Sequence, residues 1–465
     1  MGKLKIGVSK VEMNFTQEMF DEANSQVQVQ YGVERPKMKG PVGVYFPLFV
    51  RALAVSDGSE PVVFVSLETS SSCRLREKFR NEMQELTGVN ADRFIVFSVH
   101  NHGGPSVKLG TPVAYETAKE AILQALNNMQ DAYMGFAEGK SYINVSRDEQ
   151  LPDGEWCHGE DFGGFSDKTA AILRFDNEKG EPLAMLVNFG CHATLSMNAV
   201  NEDGEKMICA DFPGYTSDYL ERLYPGSVVL WSSGCAADQS PIGMYRNWVH
   251  YKGAVPEGDV PPGWAYHYTQ YMGERHALDL NKTIKDMVCK DADASVRFAW
   301  TDAMYDRQNR IRPEYPDIVP AFAAQNNVSG VAQFAPELVK DGEIINRKEF
   351  LEEPHLTGEK VRVKMELVTI GDVAIVGSGS ELYSQIGVKC KEMSPFKNTF
   401  VITHVEGHDV VAKGMDRGGY IQSNASAHAR TYQHFSDVHP GNCDEITVDG
   451  MLRMFLELQD KEVYG

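Results

Sequence analysis

Phe94-Ile95-Val96-Phe97-Ser98-Val99-His100-Asn101-His102-Gly103-Gly104-Pro105 joins a short apolar, β-branched run to two histidines, two glycines and a proline. The apolar run reads as a buried strand, and Gly-Gly-Pro stops it. Alternation along the strand would send both imidazoles to one side. Two nitrogen bases then stand at a strand end, where metal sites and active sites are often built. Taken alone, the pair equally suits one core histidine and one loop histidine.

Strand-like and helix-like segments alternate outward from this stretch. Ala52 to Val55 and Val62 to Ser66 read as a strand pair around Asp57-Gly58, and Arg74 to Leu86 as a helix stopped by Gly88. Tyr115 to Met129 is the next helix. Leu183 to Phe189 is an apolar strand ending at Gly190-Cys191-His192, and Tyr215 to Leu223 a helix. Val228 to Trp231 is a strand that ends in Ser232-Ser233-Gly234. Val361 to Ile370 and Val373 to Val376 flank the turn Gly371-Asp372, and Glu381 to Met393 reads as a helix. The pattern is α/β, with mixed β-sheets flanked by helices. Without a repeat or a low-complexity linker, residues 1–465 read as one large catalytic domain. The stretch 243–271, with Trp248, Tyr251, Trp264, Tyr266, Tyr268 and three prolines, reads as an aromatic lid or insert over a site, or as a surface excursion with its own small cluster.

The formal net charge of -20 argues against a nucleic-acid partner, because a polyanion would be repelled. It also argues against docking on anionic membranes, and no segment reads as a bilayer span. The expected partner is a small-molecule substrate; the sequence fixes no oligomeric state. Met1 to Val8 lacks the apolar core of a secretory signal, and the eight cysteines are scattered without Cys-x-x-Cys. Both point to a cytoplasmic protein with free thiols, although a secreted chain trimmed of its signal would look the same.

His100, His192 and Glu381 each follow an apolar strand and a small-residue break, and Ser240 follows a similar strand after Gly234 to Gln239. Strand ends of α/β sheets converge on a crevice. Two histidines and a glutamate are a ligand set that catalytic zinc uses, with a position left for water. Such a metal would acidify the water and polarise a carbonyl.

Several motifs, in matching order, resemble the neutral ceramidase family of zinc amidases. They are His100-Asn101-His102-Gly103-Gly104-Pro105, Asn144-Val145-Ser146-Arg147, Asn188 to Thr194 around His192, and Ala210-Asp211-Phe212-Pro213-Gly214-Tyr215. Gly234 to Pro241, Gly379-Ser380-Glu381, Gly419-Tyr420-Ile421-Gln422-Ser423 and Tyr432 continue the series. The resemblance implies that His100, His192, Glu381 and Tyr420 bind Zn2+. It implies that His102 is the general acid and base, and that Ser240 is a nucleophile or hydrogen-bond donor. Arg147 and Tyr432 would steady the oxyanion or orient the scissile group. The function implied is hydrolysis of an amide by metal-activated water, in a small soluble or lipid-like substrate. An ester or carbohydrate linkage, cleaved by a hydrolase or lyase, and a non-catalytic binding protein are the alternatives.

The chain departs from the family at Cys235-Ala236-Ala237 and Ile421-Gln422-Ser423, and leaves no room for a carboxy-terminal immunoglobulin-like domain. Plainer roles also fit these residues. Ser240 before Pro241 suits a helix N-cap, Arg147 beside Asp148 a surface ion pair, Glu381 the first turn of a helix, and Tyr420 a core position. His434 and His439 are rival ligands, though neither follows a strand.

Overall fold

The computed structural model describes the chain except residues 1–2, 26–28, 31–32, 35–39, 72–74, 153, 155, 198, 245–261, 312–337, 341–342, 346–350, 408–418, 437 and 465. Three sheets face one another across a shared apolar core, and helices cover the outer face of each. The first sheet has the order Phe94–Ser98, Val62–Leu67, Phe49–Ser56, Lys5–Glu12, Gln130–Asp131. The second runs Val228–Ser233, Pro182–Phe189, Thr169–Asp176, Tyr133–Lys140, and the third Val296–Ile311, Leu351–Ile370, Val373–Ser378, Asn398–Ile402. Each sheet has one parallel pair at an edge and is otherwise antiparallel. This is the mixed α/β architecture expected.

Period-two alternation makes each strand serve two layers. Leu53 and Val55 enter the core between the sheets, while Ala52 and Ala54 meet the alanine-rich face of helix Val107–Asn127. Leu173 and Phe175 point inward, while Ala170 and Ile172 pack in the outer cluster with helix Trp264–Ile284. Val368 and Ile370 point inward, while Leu367 packs with helices Ser384–Met393 and Cys443–Tyr464. Close approach of Val107–Asn127 needs Gly7, where a Cβ would lie 1.8 Å from Ala125 O. Buried Arg51 ties the first sheet to helix Asp211–Leu223, pairing with Glu68 on one side and with Glu221 (2.9 Å) on the other.

Four expectations change. The helix expected from Tyr115 starts at Val107, because Ser106 accepts a hydrogen bond from Leu109 N and caps it ahead of Pro112. Glu381 does not open a helix: Glu381–Leu382 is a two-residue strand paired in parallel with Tyr420–Ile421, and the helix starts at Ser384. Ser240 is no N-cap, since Gln239–Pro241 is a strand paired with Asn144–Gln150, with Ser240 opposite Val145. Trp264, Tyr266, Tyr268 and Tyr271 lie on helix Trp264–Ile284 and do not form a lid loop; Tyr266 is fully buried and stacks on Tyr45 at 3.9 Å. Trp248, Tyr251 and the rest of 245–261 lie outside the described residues. Among the described residues no helix is long and apolar enough to cross a membrane, and their cysteines are free.

Candidate metal centre

Four strands end near one point, and each delivers ligand-type side chains there. Phe94–Ser98 runs on to His100 and His102, Pro182–Phe189 to His192, Val373–Ser378 to Glu381, and Asn398–Ile402 to His404. Backbone bonds tie these ends together. Ser98 N donates to His404 O (3.3 Å), His102 N to Ala193 O (2.8 Å), His192 N to Gln239 O (3.2 Å) and Thr403 N to Ser233 O (2.9 Å).

His100 has φ 59°, a left-handed conformation uncommon outside glycine. The strand has already ended at Ser98, so alternation is not what brings the imidazoles together. The left-handed turn does it, placing His102 Nε2 2.9 Å from His100 Nε2, with the rings edge-on at 87°. The turn is held from below. Asn101 Nδ2 donates to Cys209 O (2.7 Å), and Cys209 N donates to Gly103 O (3.0 Å). Asp211, buried and itself at φ 52°, accepts from Ser196 N (2.7 Å) and Ser196 Oγ (2.6 Å). That fixes Ser196 against Gly103, where a Cβ would sit 1.9 Å from the Ser196 hydroxyl. Asp211 thus serves the histidine turn as scaffold, a role its sequence motif did not reveal.

Hydrogen-bond partners locate the protons. His100 Nδ1 donates to Ser70 O (2.8 Å) and His192 Nδ1 to Ala236 O (2.6 Å). Carbonyl oxygens only accept, so each Nδ1 carries its hydrogen and each Nε2 is turned to the centre. Burial pushes His192 well below the usual imidazole range, with Arg147 and His100 adding to it, so this ring is neutral near pH 7. Yet its Nε2 lies 3.2 Å from Glu381 Oε2, and His100 Nε2 lies 3.5 Å from the same oxygen. Burial raises Glu381, but His100, His404, Arg147 and His102 outweigh it and hold the carboxyl below its ordinary value. His192 Nε2 and Glu381 Oε2 therefore face each other as acceptors, an arrangement that a cation relieves. Among the described residues, ligand atoms within 4.8 Å of one another come from His100, His102 and His192, and from His100, Glu381 and His404.

His102 is held neutral by burial and by His100 and His192. Its Nε2 lies 2.9 Å from His100 Nε2, so one of the two nitrogens carries a hydrogen. Tyr420 sits opposite Glu381 in the strand pair, and its ring lies parallel to His192 at 6.5 Å. Arg147 does not form a surface ion pair with Asp148, for both are buried. The guanidinium donates through Nε to Ala237 O (2.8 Å), contacts the same oxygen through a terminal nitrogen, and lies 5.6 Å from the Tyr420 ring centre. Gln433 braces it. Gln433 Nε2 donates to Ala237 O (3.1 Å) and Asp148 Oδ1 (3.4 Å), and Gln433 Oε1 accepts from His158 Nε2 (2.8 Å). Burial, reinforced by Asp238, pushes the Asp148 carboxyl up to about 7.

Not every expected residue joins the cluster. The Ser240 hydroxyl is buried and makes no hydrogen bond among the described residues, to the histidines included. Tyr432 falls in a short 3-10 turn, Tyr432–Phe435, and its side chain lies outside the described residues. His434 faces Gln422 Oε1 (2.9 Å), and neither it nor His439 is among the converging ligands. His404 was missed, although Phe400-Val401-Ile402-Thr403-His404 carries the same signal as His100 and His192, an apolar strand running into a histidine.

No protein-family model matches this chain. Solved structures do share its fold. A neutral ceramidase from Pseudomonas aeruginosa superposes with a TM-score of 0.66 at 14% identity, over 99% of this chain and 75% of that one. A ceramidase complexed with C2 gives 0.67 at 13% identity, over 99% and 76%. The architecture expected from the scattered motifs is thus borne out: the chain has a neutral-ceramidase-like fold.

Proposed function

We propose that this protein is a zinc-dependent hydrolase that cleaves the amide bond of an N-acyl substrate with water, and that residues 1–465 act as one catalytic domain. The supporting observation is the convergence of His192 Nε2 and His100 Nε2 on Glu381 Oε2, at 3.2 and 3.5 Å, with the Nδ1 hydrogen of each imidazole committed to a backbone carbonyl. Two imidazoles and a carboxylate suit Zn2+, and Tyr420, beside Glu381, would add a fourth ligand. When bound, the metal acidifies water and polarises the acyl carbonyl.

The chain's own groups supply the rest. His102, neutral in its buried setting, can take a proton from attacking water and return it to the leaving nitrogen. Arg147, buried and anchored on Ala237 O, presents fixed positive charge for a developing oxyanion. Ser240 keeps an uncommitted hydroxyl hydrogen, so donation suits it better than nucleophilic attack. Tyr432 completes the expected set as a second donor. The choice of an amide over an ester or a glycoside rests on the shared fold with ceramidases.

The test combines metal analysis with turnover of matched N-acyl amides, esters and glycosides, with and without chelator. About one zinc per chain and chelator-sensitive amide cleavage are expected. His102→Ala should keep the metal and lose about 10²–10⁴ in rate, whereas His192→Ala should lose the metal. Purified protein without stoichiometric metal, or turnover indifferent to chelator, would overturn the proposal.

A further inference from the structure

His404 repeats the features of His100 in another sheet. It stands two residues beyond strand Asn398–Ile402, and its φ is 59°, the same as that of His100 beyond Phe94–Ser98. A β-carbon in the left-handed region is unfavourable, and such residues persist only where the surroundings over-determine them. Here the surroundings do. His404 O accepts from Ser98 N, Thr403 N and Oγ1 donate to Ser233 O and Gly234 O, and Val405 N donates to Ser378 O (3.1 Å). One strained residue is thus bolted to the ends of all three sheets.

The side chain completes the parallel. The His404 ring lies over that of His100, 3.9 Å between centroids and 14° from parallel. A ring nitrogen of His404 falls within 4.8 Å of ligand atoms of His100 and Glu381. Neither ring nitrogen of His404 makes a hydrogen bond among the described residues, whereas the core histidine His276 satisfies its Nδ1 on Ser141 Oγ (2.8 Å).

We propose that His404 is itself a ligand of the metal centre, adding a third imidazole to the His100, His192, Glu381 and Tyr420 set proposed above. The inference rests on the metal-site proposal above. A set this rich in imidazole suits borderline transition metals, zinc and cobalt among them, over calcium or magnesium.

Co2+ is the probe, because its visible absorption reports ligand number and type without any substrate. Affinity is read by chelator competition on the whole chain. Glycine and asparagine both tolerate positive φ, so His404→Gly and His404→Asn remove the imidazole without burdening the turn. Both should fold at least as well as the wild type, bind Co2+ at least about tenfold more weakly, and give a changed absorption band. Added imidazole should restore the band in His404→Gly. Wild type that takes up no Co2+ overturns the metal-site proposal and this inference together. Uptake that is lost in His100→Ala, yet keeps wild-type affinity and spectrum in both His404 variants, overturns the inference alone.

Discussion

Replacing Glu381 by Gln changes little in shape and inverts the hydrogen-bond chemistry at the centre. The carboxylate Oε2 faces the Nε2 atoms of His192 and His100 at 3.2 and 3.5 Å, and the neutral His192 ring has spent its hydrogen on Ala236 O. A glutamine amide could donate to the nearer lone pair, where the carboxylate can only repel it. One hydrogen bond gained is worth about 1 kcal/mol. Without metal, Glu381→Gln should therefore be more stable than wild type. With metal the order should reverse. A ligand at 100 times its dissociation constant stabilises by about 2.7 kcal/mol, and the variant, having lost the anionic ligand, should gain little.

For a chain of 465 residues, the unfolding entropy is about 1 kcal/mol per kelvin. Differential scanning calorimetry in chelator should then place the variant about 1 °C above wild type. In excess Zn2+ the wild type should move up by about 3 °C and the variant by less than about 1 °C. The crossing of the two curves is the diagnostic, since a generic destabilising substitution would lower both. Were His192 an imidazolium, its charge-assisted bond to Glu381 would be worth about 1.5–3 kcal/mol. The variant would then lose stability in chelator, and the assignment of lone pairs would be wrong.

Asp148 offers a pH test away from the metal ligands. Its folded value of about 7 lies above the ordinary 3.8, so the folded state keeps a proton that the unfolded chain has released. Stability should thus fall as pH rises from about 4 to 7 and then level off, by at most about 4 kcal/mol. Asp148→Asn should flatten that slope in urea titrations, and an unchanged slope would refute the buried protonated carboxyl. Gly103→Ala would push a methyl to 1.9 Å from Ser196 Oγ; a cost of about 1–3 kcal/mol and weaker Zn2+ binding by chelator competition are expected. Gln433→Leu removes the brace on Ala237 O and Asp148. It should lower kcat for the substrate found in the panel by about tenfold or more while leaving Zn2+ affinity intact, whereas equal loss of both would mean a general structural role.

What the sequence disclosed was local. The strands around Val65, Val96, Val187 and Val376 announce themselves as apolar runs between turn residues, and Gly88 closes its helix with φ 78° as a left-handed cap should. His100 and His192 were visible because each interrupts such a run at its end. Long-range pairing was not visible. Glu381 followed by Leu382, Tyr383 and Ile386 fits a helical face, and only its pairing with Tyr420 makes it a strand. Ser240-Pro241 has the wording of a helix start, and only Val145, far back in the chain, makes it an edge strand. Pro256, Pro261 and Pro262 favour a loop, although Trp264, Tyr268 and Tyr271 hold i, i+4, i+7 spacing on one helix face, where Trp264 stacks on Tyr268 and Tyr271 lies tilted beside it.

The missed histidine shows why such a site is hard to read from a sequence yet easy to keep in a fold. No short segment holds more than two of the converging ligands: His100 and His102 are local, but His192, Glu381 and His404 come from the other two sheets. What brings them together is the backbone, through Ser98 to His404, His102 to Ala193 and His192 to Gln239. Each bond uses a main-chain group, so it places few demands on residue type, and the motifs around it are free to drift. The constraint that survives is conformational. His100, Asp211 and His404 all hold φ between 52° and 59° at the junction, where a β-carbon is tolerated only if something repays the strain. For Asp211 the return is visible, in the hydrogen bonds that fix Ser196 under the histidine turn. For His100 the far side of the ring meets His102 Nε2 at 2.9 Å; for His404 no hydrogen bond among the described residues reaches the ring, and a shared cation is a partner whose charge and position suit the nitrogens directed there.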